Sequence, residues 1–175
     1  MKRALLLFFV VFLATSAVAK NFNKAFLMNI HQDGKLYFVY ETEMASCGGK
    51  GVKGLRYDYT HIDSDDKVSM LATCTTDNPT KVDSFFIVLP SGERLEHKVE
   101  IIYNEASRKG WQNRFRCEIA RDVWFDIYES EQPFAVEVHM MDGSVITYKD
   151  SERNWQKSRD KMLFIQKIIE LNKEE

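Results

Sequence analysis

Apolar and polar residues alternate along much of residues 26–149, which is the pattern of half-buried β-strands. Two Asp-Gly pairs, Asp33-Gly34 and Asp142-Gly143, separate alternating runs. Such pairs favour the type I′ turn of a β-hairpin because glycine accepts a positive φ. Other alternating runs lie at residues 55–62, 68–76 and 111–119. The pattern predicts a mainly β protein, an antiparallel β-sandwich of about eight or nine strands.

Two segments have apolar residues at helical spacing. Residues 120–130 place Val123, Trp124 and Ile127 on one helical face, although alternate residues there would also fit a strand, and we predict a short helix. Near the C-terminus, Asp150 or Ser151 can cap a longer helix whose apolar stripe should pack on the sheet. Its cationic middle also fits a helix lying on a membrane surface, an alternative that we disfavour.

Residues 1–19 have the three parts of a secretory signal peptide. Lys2 and Arg3 precede an apolar run of about ten residues, which is too short to cross a membrane, and Ala17-Val18-Ala19 offers small residues for cleavage after Ala19. No later apolar stretch has the length of a membrane span. We therefore expect residues 20–175 to form a single β-rich domain that is periplasmic or secreted, without a transmembrane segment.

The charge balance changes once this leader is removed. The whole chain has 24 basic and 26 acidic residues and a net charge of −2, so residues 20–175 have a net charge of −4. Residues 107–121 are basic and contain Trp111, Arg114 and Arg116, as in some nucleic-acid-binding strands. Alternation places the arginines on an outer face and the aromatic Phe115 in the core. We therefore expect no nucleic-acid partner for this acidic domain.

The three cysteines are an odd number, so at least one cannot form an internal disulfide. Cys74 and Cys117 both lie at core-facing positions of alternating strands, and we predict a disulfide between them. Cys47 lies in a glycine-rich loop and would then remain a thiol or pair between chains. The alternative is that all three are unpaired and behave as small hydrophobic residues.

One polar segment is a weak candidate for a metal site. In an extended strand His61, Asp63 and Asp65 would face one side, and carboxylate oxygens suit Ca²⁺. The spacing does not match a calcium-binding loop, so a polar turn is the preferred interpretation, with no metal and no cofactor. The glycines of residues 48–54 do not match a phosphate-binding loop, and no G-x-S-x-G motif is present.

The expected function is therefore binding without catalysis. We predict an exported β-sandwich domain that binds a protein or a cell-envelope component. Tyr37, Trp111 and Trp124 could supply aromatic contacts if they are exposed, and Arg114 and Arg116 polar ones. Two alternatives remain. One is an envelope hydrolase with a carboxylate- or histidine-based site, and the other is a carrier whose sheets enclose an apolar ligand.

Overall fold

The computed structural model describes Phe22 and residues 24–47 and 53–173. The predicted signal peptide and most of the glycine-rich segment lie outside these residues. The described part of the chain contains ten strands and two helices. In chain order they are β1 (Phe26–His31), β2 (Gly34–Met44), β3 (Leu55–Ile62), β4 (Lys67–Thr76), β5 (Val82–Val88), β6 (Arg94–His97), β7 (Glu100–Ser107), β8 (Gly110–Ala120), α1 (Arg121–Glu129), β9 (Ala135–Met140), β10 (Val145–Lys149) and α2 (Glu152–Lys173).

The strands form two antiparallel sheets. The six-stranded sheet has the order β1-β2-β3-β4-β8-β7, and the four-stranded sheet has the order β10-β9-β5-β6. This arrangement confirms the predicted β-sandwich with a C-terminal helix. The strand count is slightly higher than predicted because the segment after Gly92 divides into β6 and β7, which belong to different sheets.

Both predicted hairpins are present, but neither has a type I′ turn. Among the described residues only glycines have a positive φ, whereas a type I′ turn needs two successive positive values. In the first hairpin His31 pairs with Gly34, so the two loop residues are Gln32 and Asp33. In the second hairpin the Gly143 N–H donates to the Met140 carbonyl, at 2.9 Å, and Gly143 has φ +84°.

The two helices also follow the sequence pattern. In α1, Trp124, Ile127 and Tyr128 are buried. At the start of α2 the Asn154 N–H donates to Ser151 Oγ at 3.4 Å, so Ser151 is the N-cap. Among the described helices, none is long and apolar enough to span a membrane. The buried face of α2 consists of Trp155, Met162, Ile165, Gln166 and Ile169.

The inner face of the six-stranded sheet is covered in two different ways. Over β4 and β8 lies the four-stranded sheet, where the rings of Phe85 and Phe115 are 5.6 Å apart. We call this part the sheet-covered half. Over β1, β2 and β3 lie the helices, where the rings of Tyr59 and Trp124 are 5.5 Å apart. We call this part the helix-covered half. Large buried side chains fill both halves.

The predicted disulfide between Cys74 and Cys117 is wrong, because both cysteines are unpaired thiols. Both side chains do point into the core, as the alternation predicted. However, Cys117 pairs with Met70 across β4 and β8, and Met70 is four residues before Cys74. Four residues of strand span about 13 Å, which is too far for a disulfide. Burial raises the pKa of each thiol to about 12, so both stay protonated.

Candidate functional site

Two of the three aromatic residues predicted as partner contacts are not at the surface. Tyr37 and Trp124 are fully buried. Tyr37 faces the core from β2, and Trp124 lies on the buried side of α1 against Tyr59. Neither residue is therefore exposed, as a contact with a partner would require. Trp111, at the start of β8, is half-buried.

The two predicted arginines lie on the outer face of the six-stranded sheet, and each has an acidic partner there. Arg114 donates to Asp58 Oδ2 at 3.0 Å and to Thr73 Oγ1 at 3.0 Å. Arg116 donates to Glu100 Oε2 at 3.3 Å. Ion pairs near the surface contribute little stability, but here they neutralise the charges of these two arginines. Arg114 and Arg116 therefore do not present free positive charge for an anionic partner.

The weak metal candidate does not form a ligand cluster. His61 is buried, and its Nδ1 lies 2.9 Å from the Lys67 carbonyl oxygen. Burial lowers the pKa of this imidazole. Strand β3 ends at Ile62, and Asp63 and Asp65 accept hydrogen bonds from the backbone N–H groups of Lys35 and Lys67. The described residues include no group of three or more side chains arranged to hold a metal ion.

A histidine with a carboxylate partner, the feature expected of a hydrolase, occurs on an open face. His139 Nε2 lies 3.3 Å from Glu137 Oε2, on the outer side of β9. Arg94 from β6 also contacts Glu137 and stacks over Phe86 at 4.6 Å. The side chains of this cluster are partly exposed, and the negative charge of Glu137 is balanced by Arg94. It lines neither of two surface depressions, of about 650 Å³ and 490 Å³, so it gives the hydrolase alternative no substrate cleft there.

Two depressions on the described surface are grooves open to solvent. One, of about 650 Å³, is lined mainly by hydroxyl, amide and charged side chains and includes Cys47. Another, of about 490 Å³, surrounds His97 and is bordered by the Lys67–Glu118 and Arg116–Glu100 ion pairs. Neither is an enclosed apolar cavity of the kind that a lipid-like ligand needs. The carrier alternative gains no support from these grooves.

The most distinctive surface feature is strand β1, at one edge of the six-stranded sheet. Its apolar side chains are unusually exposed, at 45% for Leu27, 41% for Met28 and 90% for Ile30. Leu27 projects on the outer face, whereas Met28 and Ile30 project on the same face as the buried Tyr37. An exposed edge strand with apolar side chains is a common site of pairing with another chain.

Three residues of β1 direct their backbone N–H and carbonyl groups away from the sheet. The Tyr40 N–H donates to the Ala25 carbonyl at 3.0 Å, so Ala25 points towards β2. Lys35, which is opposite Ile30, directs its N–H and carbonyl to Asp63 instead. Because the pattern alternates along an antiparallel pair, Phe26, Met28 and Ile30 direct their N–H and carbonyl groups away from the sheet. No described residue pairs with these groups.

The other described sheet edges are protected. Strand β7 carries Glu100 and Glu105, and β6 carries Arg94 and Glu96. The end of β10 is covered, because the Cys47 N–H donates to the Thr147 carbonyl at 2.9 Å. Charged residues and a covering segment are common ways to block pairing at an edge. Strand β1 has the sequence FLMNIH, without Asp, Glu, Lys, Arg or Pro.

Sequence reasoning missed this site, although part of its signal was present. The alternation in residues 26–31 predicted a strand with one buried face, but the last five residues of β1 are all exposed. The absence of charge from β1 could have suggested an open edge only if the order of strands had been known.

No protein-family model, curated protein or solved structure matches the chain.

Proposed function

We propose that this protein is an exported, non-enzymatic domain that binds an extended segment of a partner protein along β1. One observation carries the proposal: Phe26, Met28 and Ile30 present unpaired backbone groups on an uncharged edge strand with exposed apolar side chains. In strand addition, the main-chain hydrogen bonds supply affinity and the alternate side chains supply specificity. Both components are present at this edge.

The side chains of β1 would contact a bound strand on both of its faces. Leu27 on the outer face lies opposite Phe38 of β2, which is half-buried. On the inner face, Met28 lies beside the last turn of α2, where Asn172 Nδ2 is 3.7 Å from Met28 Sδ. A partner with apolar residues on alternate positions would therefore cover apolar surface on each face. This requirement favours a protein segment over a sugar polymer.

Export is supported by the sequence of the leader alone. If residues 1–19 are removed, the mature chain begins at Lys20, six residues before β1. Mass spectrometry of protein recovered from the exported fraction should give the mass of residues 20–175. Recovery of the uncleaved chain inside the cell would contradict the export part of the proposal.

Binding at the edge can be tested with two variants of one residue. Met28→Pro removes an N–H that points outward, so it should block strand addition while keeping the hydrogen bonds between β1 and β2. Met28→Ala loses the same side chain but retains the N–H, which makes it the matched control. Circular dichroism of both variants should match that of the unmodified protein.

The measurement is capture of proteins from envelope extract on the immobilised mature protein. We expect the unmodified protein and Met28→Ala to retain a common protein. Met28→Pro should retain at most about a tenth as much of it, because the loss of one important interface residue commonly weakens binding about tenfold or more. Equal capture by all three forms would contradict binding along β1, and so would the absence of any specifically retained protein, a second copy of this chain included.

A further inference from the structure

We infer that the strand which pairs with β1 is β1 of a second copy of this chain, so that two molecules share one continuous sheet. The inference rests on the proposed use of this edge and names the partner. A single strand can pair with its own copy across a two-fold axis only in an antiparallel arrangement, and such interfaces use the same surface twice. The sequence and the outward groups of β1 meet the conditions of such pairing.

In one register, the outward backbone groups of β1 can all pair with the same groups of β1 in the second copy. If Met28 lies opposite Met28 of the second copy, Phe26 lies opposite Ile30 of that copy, and the reverse pair also forms. All outward N–H and carbonyl groups of these three residues are then used, in about six hydrogen bonds. A shift by two residues along the strand would leave one of the three residues unpaired in each copy. The centred register is therefore the one with the most hydrogen bonds.

This register also gives an apolar neighbour to the most exposed apolar side chain of the described chain. Ile30 is 90% exposed and projects on the same face as Phe26, which is half-buried. Across the two-fold axis, Ile30 would stand directly opposite Phe26 of the second copy, and the two Met28 side chains would meet at the axis. Aromatic and β-branched residues are favourable partners in such cross-strand pairs.

The charges that flank β1 favour the antiparallel arrangement. Lys24 precedes the strand, and Asp33 lies in the turn that follows it. In the centred register Lys24 lies opposite Gln32 of the second copy and next to Asp33 of that copy, so opposite charges are close. Between these ends β1 has no Asp, Glu, Lys or Arg. Self-pairing therefore brings no like charges into contact along the strand.

The last turn of α2 adds to the same surface. Lys35 Nζ donates to the Asn172 carbonyl at 2.6 Å, and Asn172 also contacts Met28. The end of α2 therefore lies over the edge at which the two-fold axis passes. Leu171, on this turn, is 53% exposed. The axis would bring the last turns of the two α2 helices near each other on the inner side of the shared sheet.

The first measurement is sedimentation of the mature chain from micromolar to near-millimolar concentration. The unmodified protein should change from monomer to dimer over this range. Met28→Ala should also dimerise, at a higher concentration because it loses the side chain at the axis but keeps the N–H, and Met28→Pro should stay monomeric. A monomer at every concentration would overturn the inference. If that monomer still captured an envelope protein in a manner blocked by Met28→Pro, binding along β1 would stand and only the self-pairing would fail.

The second measurement tests the register through cysteine cross-linking, with Cys47→Ser to remove the exposed thiol. In the centred register two Met28→Cys chains have Cα atoms about 5.5 Å apart, within the range of a disulfide. Two Ile30→Cys chains are offset by four residues, about 13 Å. Met28→Cys should therefore cross-link at least tenfold faster, although Ile30 is the more exposed position. Equal rates, or faster cross-linking at Ile30→Cys, would overturn the register.

Discussion

The two halves of the core that lie under the same six-stranded sheet are built from different side chains. The sheet-covered half is lined mainly by aliphatic and small residues on alternate positions, such as Met70, Ala72, Val136 and Val138. The helix-covered half is lined by large aromatic residues that carry polar atoms. Among these residues are Tyr37, Tyr57, Tyr59, Trp124, Tyr128 and Trp155.

The geometry of the covering element explains this difference. Two packed sheets lie about 10 Å apart, and side chains that alternate along each strand fill that gap evenly. A helix on a sheet presents a curved surface, so the remaining space varies in depth and large rings fill it. Tyr128 stacks on Trp155 with ring centroids 5.4 Å apart, and both rings contact Phe134 from the segment before β9.

Some of the polar groups in this half form hydrogen bonds with each other inside the core, whereas Tyr37 Oη and Trp124 Nε1 have no partner. Tyr59 and Tyr128 share a hydrogen bond of 3.0 Å between their hydroxyl oxygens. Gln166 Nε2 donates to the Trp124 carbonyl at 3.0 Å, and this bond joins α2 to α1. The helix-covered half therefore depends on specific pairs, whereas the sheet-covered half depends on volume and alternation. This difference predicts how each half responds to substitution.

The largest effect is expected where a ring joins α1 to the six-stranded sheet. Trp124→Ala should lower the free energy of unfolding by about 3–5 kcal/mol, because it leaves a cavity beside Tyr59 and His61. The matched control, Trp111→Ala, removes a half-buried ring and should cost about 1 kcal/mol. Urea unfolding of both variants measures the difference. Equal losses would show that the aromatic side chains of the helix-covered half are not its main support.

A smaller effect of opposite sign is expected at Asp150, a carboxyl of the helix-covered half. It is buried near Tyr57 and Tyr128, and neither of its oxygens has a hydrogen-bond partner. Burial raises its pKa, and the nearby backbone N–H of Ala45, which does not reach hydrogen-bond geometry, opposes this only in part. Since the folded protein then holds this proton more tightly than the unfolded chain, the contribution of Asp150 to stability is present in acid and is lost as pH rises through the raised pKa.

Asp150→Asn keeps the shape of the side chain and removes its charge. At neutral pH the variant should be more stable than the unmodified protein by about 1 kcal/mol, which is the scale of an unpaired buried polar group. The gain should disappear below the ordinary pKa of an aspartic acid, where both forms are neutral. Thermal unfolding over a pH series measures this crossover. A variant that is less stable at neutral pH would show that ionised Asp150 has a stabilising partner.

The smallest effect concerns the thiols of the sheet-covered half. Because Cys74 and Cys117 are buried and unpaired, a reducing agent should leave the melting temperature of the domain formed by residues 20–175 unchanged. A thiol reagent should modify only the exposed Cys47 in the folded protein and all three cysteines after unfolding. Mass spectrometry counts the modified sites. If neither Cys74 nor Cys117 reacted in the unfolded, unreduced chain, the two would form a disulfide, which would contradict the register of β4 and β8.

Much of the fold could be predicted from local patterns, but the binding edge could not. The alternation around Cys74 and Cys117 correctly placed both side chains in the core, and Ser151 was correctly among the predicted caps. The spacing in residues 120–130 predicted α1. The same spacing did not reveal that Trp124 points inward, because a helix of nine residues has one apolar face whether a sheet or a partner protein covers it.

What the sequence determined by itself is most of the strands and helices and the face that most of them bury, since these follow from periods of two and 3.6 residues within one segment. Tertiary structure decided the order of the strands, the offset of four residues that separates the two buried cysteines, and the position of β1 at an open edge. These features depend on pairing between segments that are distant in the chain. No single segment encodes which neighbour it will have, or that it will have none on one side.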